Sequence, residues 1–149
     1  IGTNDVERHL RKLLRADDPQ AVSDFDFAGW EKTYRRLLDE ARQANPALRI
    51  VLCTPFAAPC GKIVEGALGA YYPLRQQMLA QCSAIVAEIA RDYGATLVPF
   101  HRLIAGLESR LPNGDETYWV WDGIHPTPAG QRLMADCWIG AAARSGAME

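Results

Sequence analysis

Several kinds of protein are excluded by what this 149-residue chain lacks. No apolar run approaches the ~18 residues that a membrane span needs. Sixteen basic residues face 18 acidic ones for a net charge of -2, with no long run of either sign. The clustered basic face of a nucleic-acid binder is therefore missing. Its nearest candidate, "RHLRKLLR" over residues 8–15, has leucines at helical spacing and reads as the wet side of an amphipathic helix. The four cysteines (Cys53, Cys60, Cys82 and Cys137) lack the close paired spacing of a zinc site. Cys82 and Cys137 fall on apolar helix faces, where a buried reduced thiol is the ordinary reading; Cys53 and Cys60 are open to pairing or reaction. His9 and His101 have no carboxylate at ligand spacing, so neither a metal nor a cofactor is expected. Serine is scarce too. Ser23, Ser83, Ser109 and Ser145 are the whole complement, each at a cap or a helical surface position.

What is present suits one globular domain over 1–149, with 48% hydrophobic and 23% charged residues. Val6, Leu10, Leu13 and Leu14 follow a helical period closed by Pro19. A second helix is expected over 26–44, with Phe27, Trp30, Tyr34, Leu37, Leu38 and Ala41 on one face, Ser23 as its cap and Asn45-Pro46 as its end. "RIVLC" (49–53) and "TLVPF" (96–100) read as strands buried on both sides. After the first comes a Gly/Pro/Ala-rich loop, 54–71, whose length points to function. A helix over 73–93 starts on Pro73, carries the stripe Leu74, Met78, Cys82, Ile85, Val86 and Ile89, and stops at Gly94. A short helix near 101–110 leads to the turn "PNGD" (112–115). The last helix follows Thr127, with Pro128 in its first turn and Leu133, Met134, Cys137 and Trp138 inward.

Alternating strands and helices are the grammar of a parallel α/β sheet with right-handed crossovers. Two strands cannot bury five helices, so the sheet is expected to be incomplete at the N-terminal side, with Ile1 ending a further strand. Because the chain opens without an initiator methionine, any targeting segment would precede Ile1, and the cellular location is left open.

Ligands of open α/β sheets sit beyond the carboxyl ends of the strands. Three stretches leave such ends: "GTND" (2–5), the loop after Cys53, and the run from Phe100 to His125. In "WDGIHPTPAG" (121–130), a tight turn through Gly123 brings Asp122 within reach of His125, while Pro126 holds His125 extended. The carboxylate can then accept from one imidazole nitrogen and leave the other free as a base. Equally open is a plain turn with a surface histidine. In "GTND", Asn4 reads as an N-cap with Glu7 near a capping-box position, and Asp5 favours a helix start. The same Asn4 amide can instead donate to a developing oxyanion, with Gly2 allowing close backbone approach to a ligand. Trp119 and Trp121 flank the histidine and either line an apolar pocket or pin the loop to the core.

Taken together, a "GxND" turn after a strand and a "DxxHP" turn before the final helix resemble the SGNH (GDSL-type) hydrolases, a family of esterases and lipases. Gly2, Asn4 and Asp5 match the family's third block, and Asp122, His125 and Pro126 its fifth. The resemblance implies a three-layer, flavodoxin-like α/β/α fold of which this chain would be roughly the C-terminal two-thirds. It implies His125 as general base, Asp122 as its orienting partner, Asn4 as an oxyanion donor and Asp5 as loop support. The substrate would be a small ester: a lipid, an acetylated sugar or a thioester. The family's "GDS" serine block and the glycine of its second block have no match here. The nucleophile is thus expected from an N-terminal segment upstream of Ile1, the chain alone being inactive. A Cys53 thiol in its place, or a non-catalytic or split module, are the alternatives.

Overall fold

The apolar runs after Arg49 and Ala95 pair as a two-stranded parallel sheet, β1 (Val51–Cys53) beside β2 (Thr96–Val98), in the register Val51↔Thr96, Leu52↔Leu97 and Cys53↔Val98. The computed structural model describes residues 1–16, 24–107 and 110–146. The expected stop at Pro19, the cap at Ser23 and Ser109 lie outside the described residues. Around the sheet stand helices α1 (Thr3–Ala16), α2 (Phe27–Ala44), α3 (Gly66–Gly69), α4 (Tyr72–Asp92), α5 (Phe100–Leu107) and α6 (Pro128–Arg144). This is an α/β fold with a small parallel sheet.

Strand alternation decides what each face buries. Leu52, together with Ile50, meets Val86 and Ile89 of α4 and Tyr34 and Leu38 of α2. Val51 and Cys53 turn the other way, onto Val98, Phe100 and the α6 residues Met134, Cys137 and Ala141. On the α4 side, α1 inserts Val6, Leu10 and Leu13 against Met78, Leu79 and Cys82. Thr127 caps α6 by accepting from the Gly130 N–H at 3.1 Å, with Pro128 in the first turn as expected.

Some expectations fail for a geometric reason. Neighbouring helical residues point about 100° apart, so on a helix with one narrow buried stripe the second of two adjacent apolar residues falls at or beyond its edge. In α2 Leu38 is buried and Leu37 is 53% exposed. In α6 Cys137 packs inward while Trp138 stays half-exposed at its edge. The start of α2 is capped by Asp26, whose Oδ1 accepts from Gly29 N at 2.7 Å. One core residue escaped the apolar pattern altogether. Arg75 of α4 is 2% exposed, with Nη2 2.6 Å from Glu7 Oε2 on α1.

Candidate active site

Residues 119–127 form a narrow hairpin that runs directly into α6. Val120 and Pro126 make an antiparallel bridge, Trp121 N donates to His125 O at 2.9 Å, and Thr127 N donates to Trp119 O at 3.0 Å. Gly123 sits at the tip with φ +88°, a conformation that L side chains rarely adopt. A Cβ there would also meet Ile63 and lie 2.9 Å from Ala58 O.

Inside this turn Asp122 contacts both the backbone and the imidazole of His125. Its Oδ1 accepts from the backbone N–H of Ile124 (3.1 Å) and of His125 (2.9 Å), the work of a turn former. Its Oδ2 lies 2.8 Å from His125 Nδ1. Burial pushes the Asp122 carboxyl up, but the His125 backbone N–H, the imidazole and the Ile124 N–H outweigh it and hold the group down at about 2. An ionised carboxylate therefore accepts at Nδ1, which sets the Nδ1–H tautomer and leaves the Nε2 lone pair without a proton. The His125 side chain is 75% exposed, so Nε2 is open to a reacting group.

The other motif is arranged differently from its capping expectation. Val6 N donates to Gly2 O at 3.0 Å, so Gly2, not Asn4, stands at the helix cap. Asp5 Oδ2 accepts from Gly2 N (3.1 Å), the reciprocal half of a capping box, and from Trp30 Nε1 (3.3 Å). Asn4 falls in the first turn of α1, exposed, and its amide has no hydrogen-bond partner among the described residues. Gly2 is buried with φ +110°, and the close approach it allows is to Pro55, whose Cγ would lie 2.9 Å from a Cβ.

Sequence reasoning missed what joins these two motifs. Thr3 Oγ1 donates to Phe56 O (3.2 Å) at one end of the loop after β1. A little further along, Ala58 N donates to Gly123 O (2.9 Å), and Gly61, at φ +59°, packs where a Cβ would lie 2.8 Å from Asp122 Cα. Cys60 gives its thiol to Val120 O at 2.9 Å, and Gln76 Nε2 of α4 holds Ala57 O at 2.9 Å. Residues 55–61 thus support both the Asn4 turn and the His125 turn. The local signal was the glycine of "PCGK" in a loop noticed only for its length.

The other nucleophile candidates are committed elsewhere. All four cysteines are free, so Cys53 and Cys60 do not pair. Cys53 packs on the α6 face with Phe56 and Cys137, and burial pushes its thiol up. Ser83 donates to Leu79 O, and Ser145 donates to Ala142 O at the end of α6. The tryptophans separate: Trp119 packs with Ala58, Ile104 and Val120 and donates from Nε1 to Arg110 O (3.3 Å), whereas Trp121 is 61% exposed beside the histidine. Among the described residues no group of three or more His, Cys, Asp or Glu is placed to hold a metal, and no helix is long and apolar enough to cross a membrane.

The α/β fold with its small parallel sheet is similar to that of the SGNH-type hydrolases. The chain belongs to the GDSL-like lipase/acylhydrolase family, whose model matches residues 1–133. Among solved structures it is similar to a GDSL-like lipase from Parabacteroides merdae, with 26% identity and a TM-score of 0.66 over 96% of this chain and 57% of that one. It is also similar in fold to an acetyl-xylooligosaccharide esterase from Geobacillus stearothermophilus (23% identity, TM-score 0.67, 95% of this chain and 56% of that one). A catalytic mutant of that acetylxylan esterase aligns equally well, at 24% identity and a TM-score of 0.66 over 95% and 56% of the two chains. The chain therefore spans little more than half the length of each. No curated protein matches the sequence.

Proposed function

We propose that this chain carries the base and the oxyanion donor of a serine hydrolase that cleaves carboxylic esters through an acyl-enzyme. Its serine comes from a segment preceding Ile1. The observation that carries the reading is the Asp122–His125 pair, with Nδ1 held at 2.8 Å by a carboxylate that stays ionised. In the reaction, the serine oxygen attacks the ester carbonyl as His125 Nε2 takes its proton. The Asp122 carboxylate stabilises the imidazolium, which then protonates the departing alkoxide. Water attacks the acyl-enzyme with His125 again as base, and the acid leaves. Asn4 donates to the oxyanion in both halves, while Gly2 and Asp5 hold the turn that presents it. Its exposed, unpartnered amide supports that role. Trp121 forms a wall of the substrate site.

The same reading makes the two observed strands part of a larger three-layer, flavodoxin-like sheet. Helices on both faces of so short a sheet support it, as does the share of the solved relatives that the chain spans. A fluorophosphonate probe, which labels activated serines, is the test. It is expected to leave the 149-residue chain unlabelled, to label a form carrying the preceding segment, and to lose that label in His125→Gln. Labelling of the chain alone would refute the upstream serine. An unlabelled longer form would leave a non-catalytic module.

A further inference from the structure

Beside the hairpin that carries Asp122 and His125 lies a cavity of about 150 Å³. Pro59, Ile104, Leu107, Leu111, Trp119 and Val120 line it. Glu116 is the one charged side chain among the lining residues. The cavity shares its frame with the site: Val120 bridges Pro126, and Ala58, also in the lining, bonds Gly123 O.

Size and polarity select the occupant. A volume near 150 Å³ with aliphatic walls is the kind of space that takes one six-membered ring. A long acyl chain does not fit. A sugar ring fits by size, but its several hydroxyls would meet side chains that are apolar except for Glu116, and hydroxyls left without partners are costly. A released acid would bring its negative charge beside Glu116. A flat, apolar ring with one hydrogen-bond donor satisfies both the walls and the carboxylate. We infer that this cavity is a specificity pocket for a phenol-type ring on one half of the ester, with the ring against Trp119 and its hydroxyl donating to Glu116. This inference rests on the ester-hydrolase reading for its role in substrate choice, but the binding itself does not.

The test is a titration of the 149-residue chain with phenol, followed through the indole N–H resonance of Trp119, which Trp119→Phe identifies. A saturable shift with a dissociation constant on the order of 1 mM is expected, as befits so few atoms, with the Trp30 and Trp138 resonances unmoved. Anisole, which lacks the donor, and benzoate, which adds a negative charge, should each bind at least about fivefold more weakly. Glu116→Gln, at an exposed position, should narrow the gap between phenol and benzoate, and Leu107→Trp should fill the pocket and abolish the shift. No saturable shift at Trp119, or equal affinities for phenol, anisole and benzoate, would overturn the pocket. Phenol binding without fluorophosphonate labelling of the longer form would retire the ester reading and leave the pocket; labelling without phenol binding would do the reverse.

Discussion

Replacing Asp122 by Asn separates the turn from the chemistry, because the two carboxylate oxygens do different work. Oδ1 holds the Ile124 and His125 N–H groups, and an amide oxygen can take over both bonds. Oδ2 accepts from Nδ1, and the Asn NH2 that replaces it is a donor. Oδ1 also lies 3.1 Å from Nδ1, but the NH2 takes over the shorter 2.8 Å contact, which favours Nδ1 as acceptor and moves the proton towards Nε2, where it blocks the base. A charge-assisted bond is worth about 1.5–3 kcal/mol when shielded. Here the side chains are 37% (Asp122) and 75% (His125) exposed, so screening reduces it to about 1 kcal/mol, roughly a fivefold tautomer preference. Long-range 1H–15N spectra of the chain should find neutral His125 mainly as Nδ1–H, and mainly as Nε2–H after Asp122→Asn. In the longer, active form the same change should lower turnover about fivefold through the tautomer alone, and by up to about 10³–10⁴ once the lost stabilisation of the imidazolium is added, with a stability loss of about 1 kcal/mol. A wild-type imidazole already protonated at Nε2, or a tautomer ratio that ignores the substitution, would refute the orienting role. The acid limb gives a second check. The folded Asp122 pKa lies near 2, below its ordinary 3.8, so its stabilisation is complete above about pH 4 and is lost as pH falls towards 2. The stability difference between wild type and Asp122→Asn should vanish over that interval and not above it.

Three further outcomes follow from packing. Gly123→Ala should cost about 2–4 kcal/mol in urea denaturation, since positive φ is compounded by collisions with Ile63 and Ala58 O. Gly66→Ala, at φ +62° with open space around it, should cost only about 1 kcal/mol, and equal losses would contradict the close packing of the hairpin on the 55–63 loop. Arg75→Met should cost about 1–2 kcal/mol, because Glu7 Oε2 loses its partner in the α1–α4 interface while Oε1 keeps Arg11 Nε at 2.8 Å, and adding Glu7→Gln should recover part of it. Additive losses in that cycle would mean the pair is not coupled. Iodoacetamide at pH 8 should reach Cys137 first and Cys53 more slowly, since burial pushes the Cys53 thiol up, while sparing Cys60, which is buried on Val120 O, and Cys82, whose thiol burial pushes up to about 12. Early modification of Cys82 would show the core to be looser than described.

The elements written in local chemistry were legible in advance. Pro73 opens α4, Gly94 ends it at φ +58°, and Thr127 caps α6, because each acts on residues within one turn of itself. The Asp122–His125 contact belongs to this class, since all of its hydrogen bonds lie within 121–127 and the same spacing can form it in any setting. Asn4 does not. Cap and oxyanion donor use the same residue type at the same strand-to-helix turn, and only the backbone decides between them: Gly2 takes the cap because it can adopt φ +110° against Pro55, which frees the Asn4 amide. That choice depends on contacts more than fifty residues away, such as Thr3 to Phe56, which no periodicity encodes. The same asymmetry sets where the two turns are vulnerable. The Asp122–His125 pair, built within one hairpin, tolerates changes elsewhere in the chain, whereas the placement of Asn4 relative to it runs through residues 55–61, where Gly61 leaves no room for a larger side chain and Ala58 cannot lose its N–H.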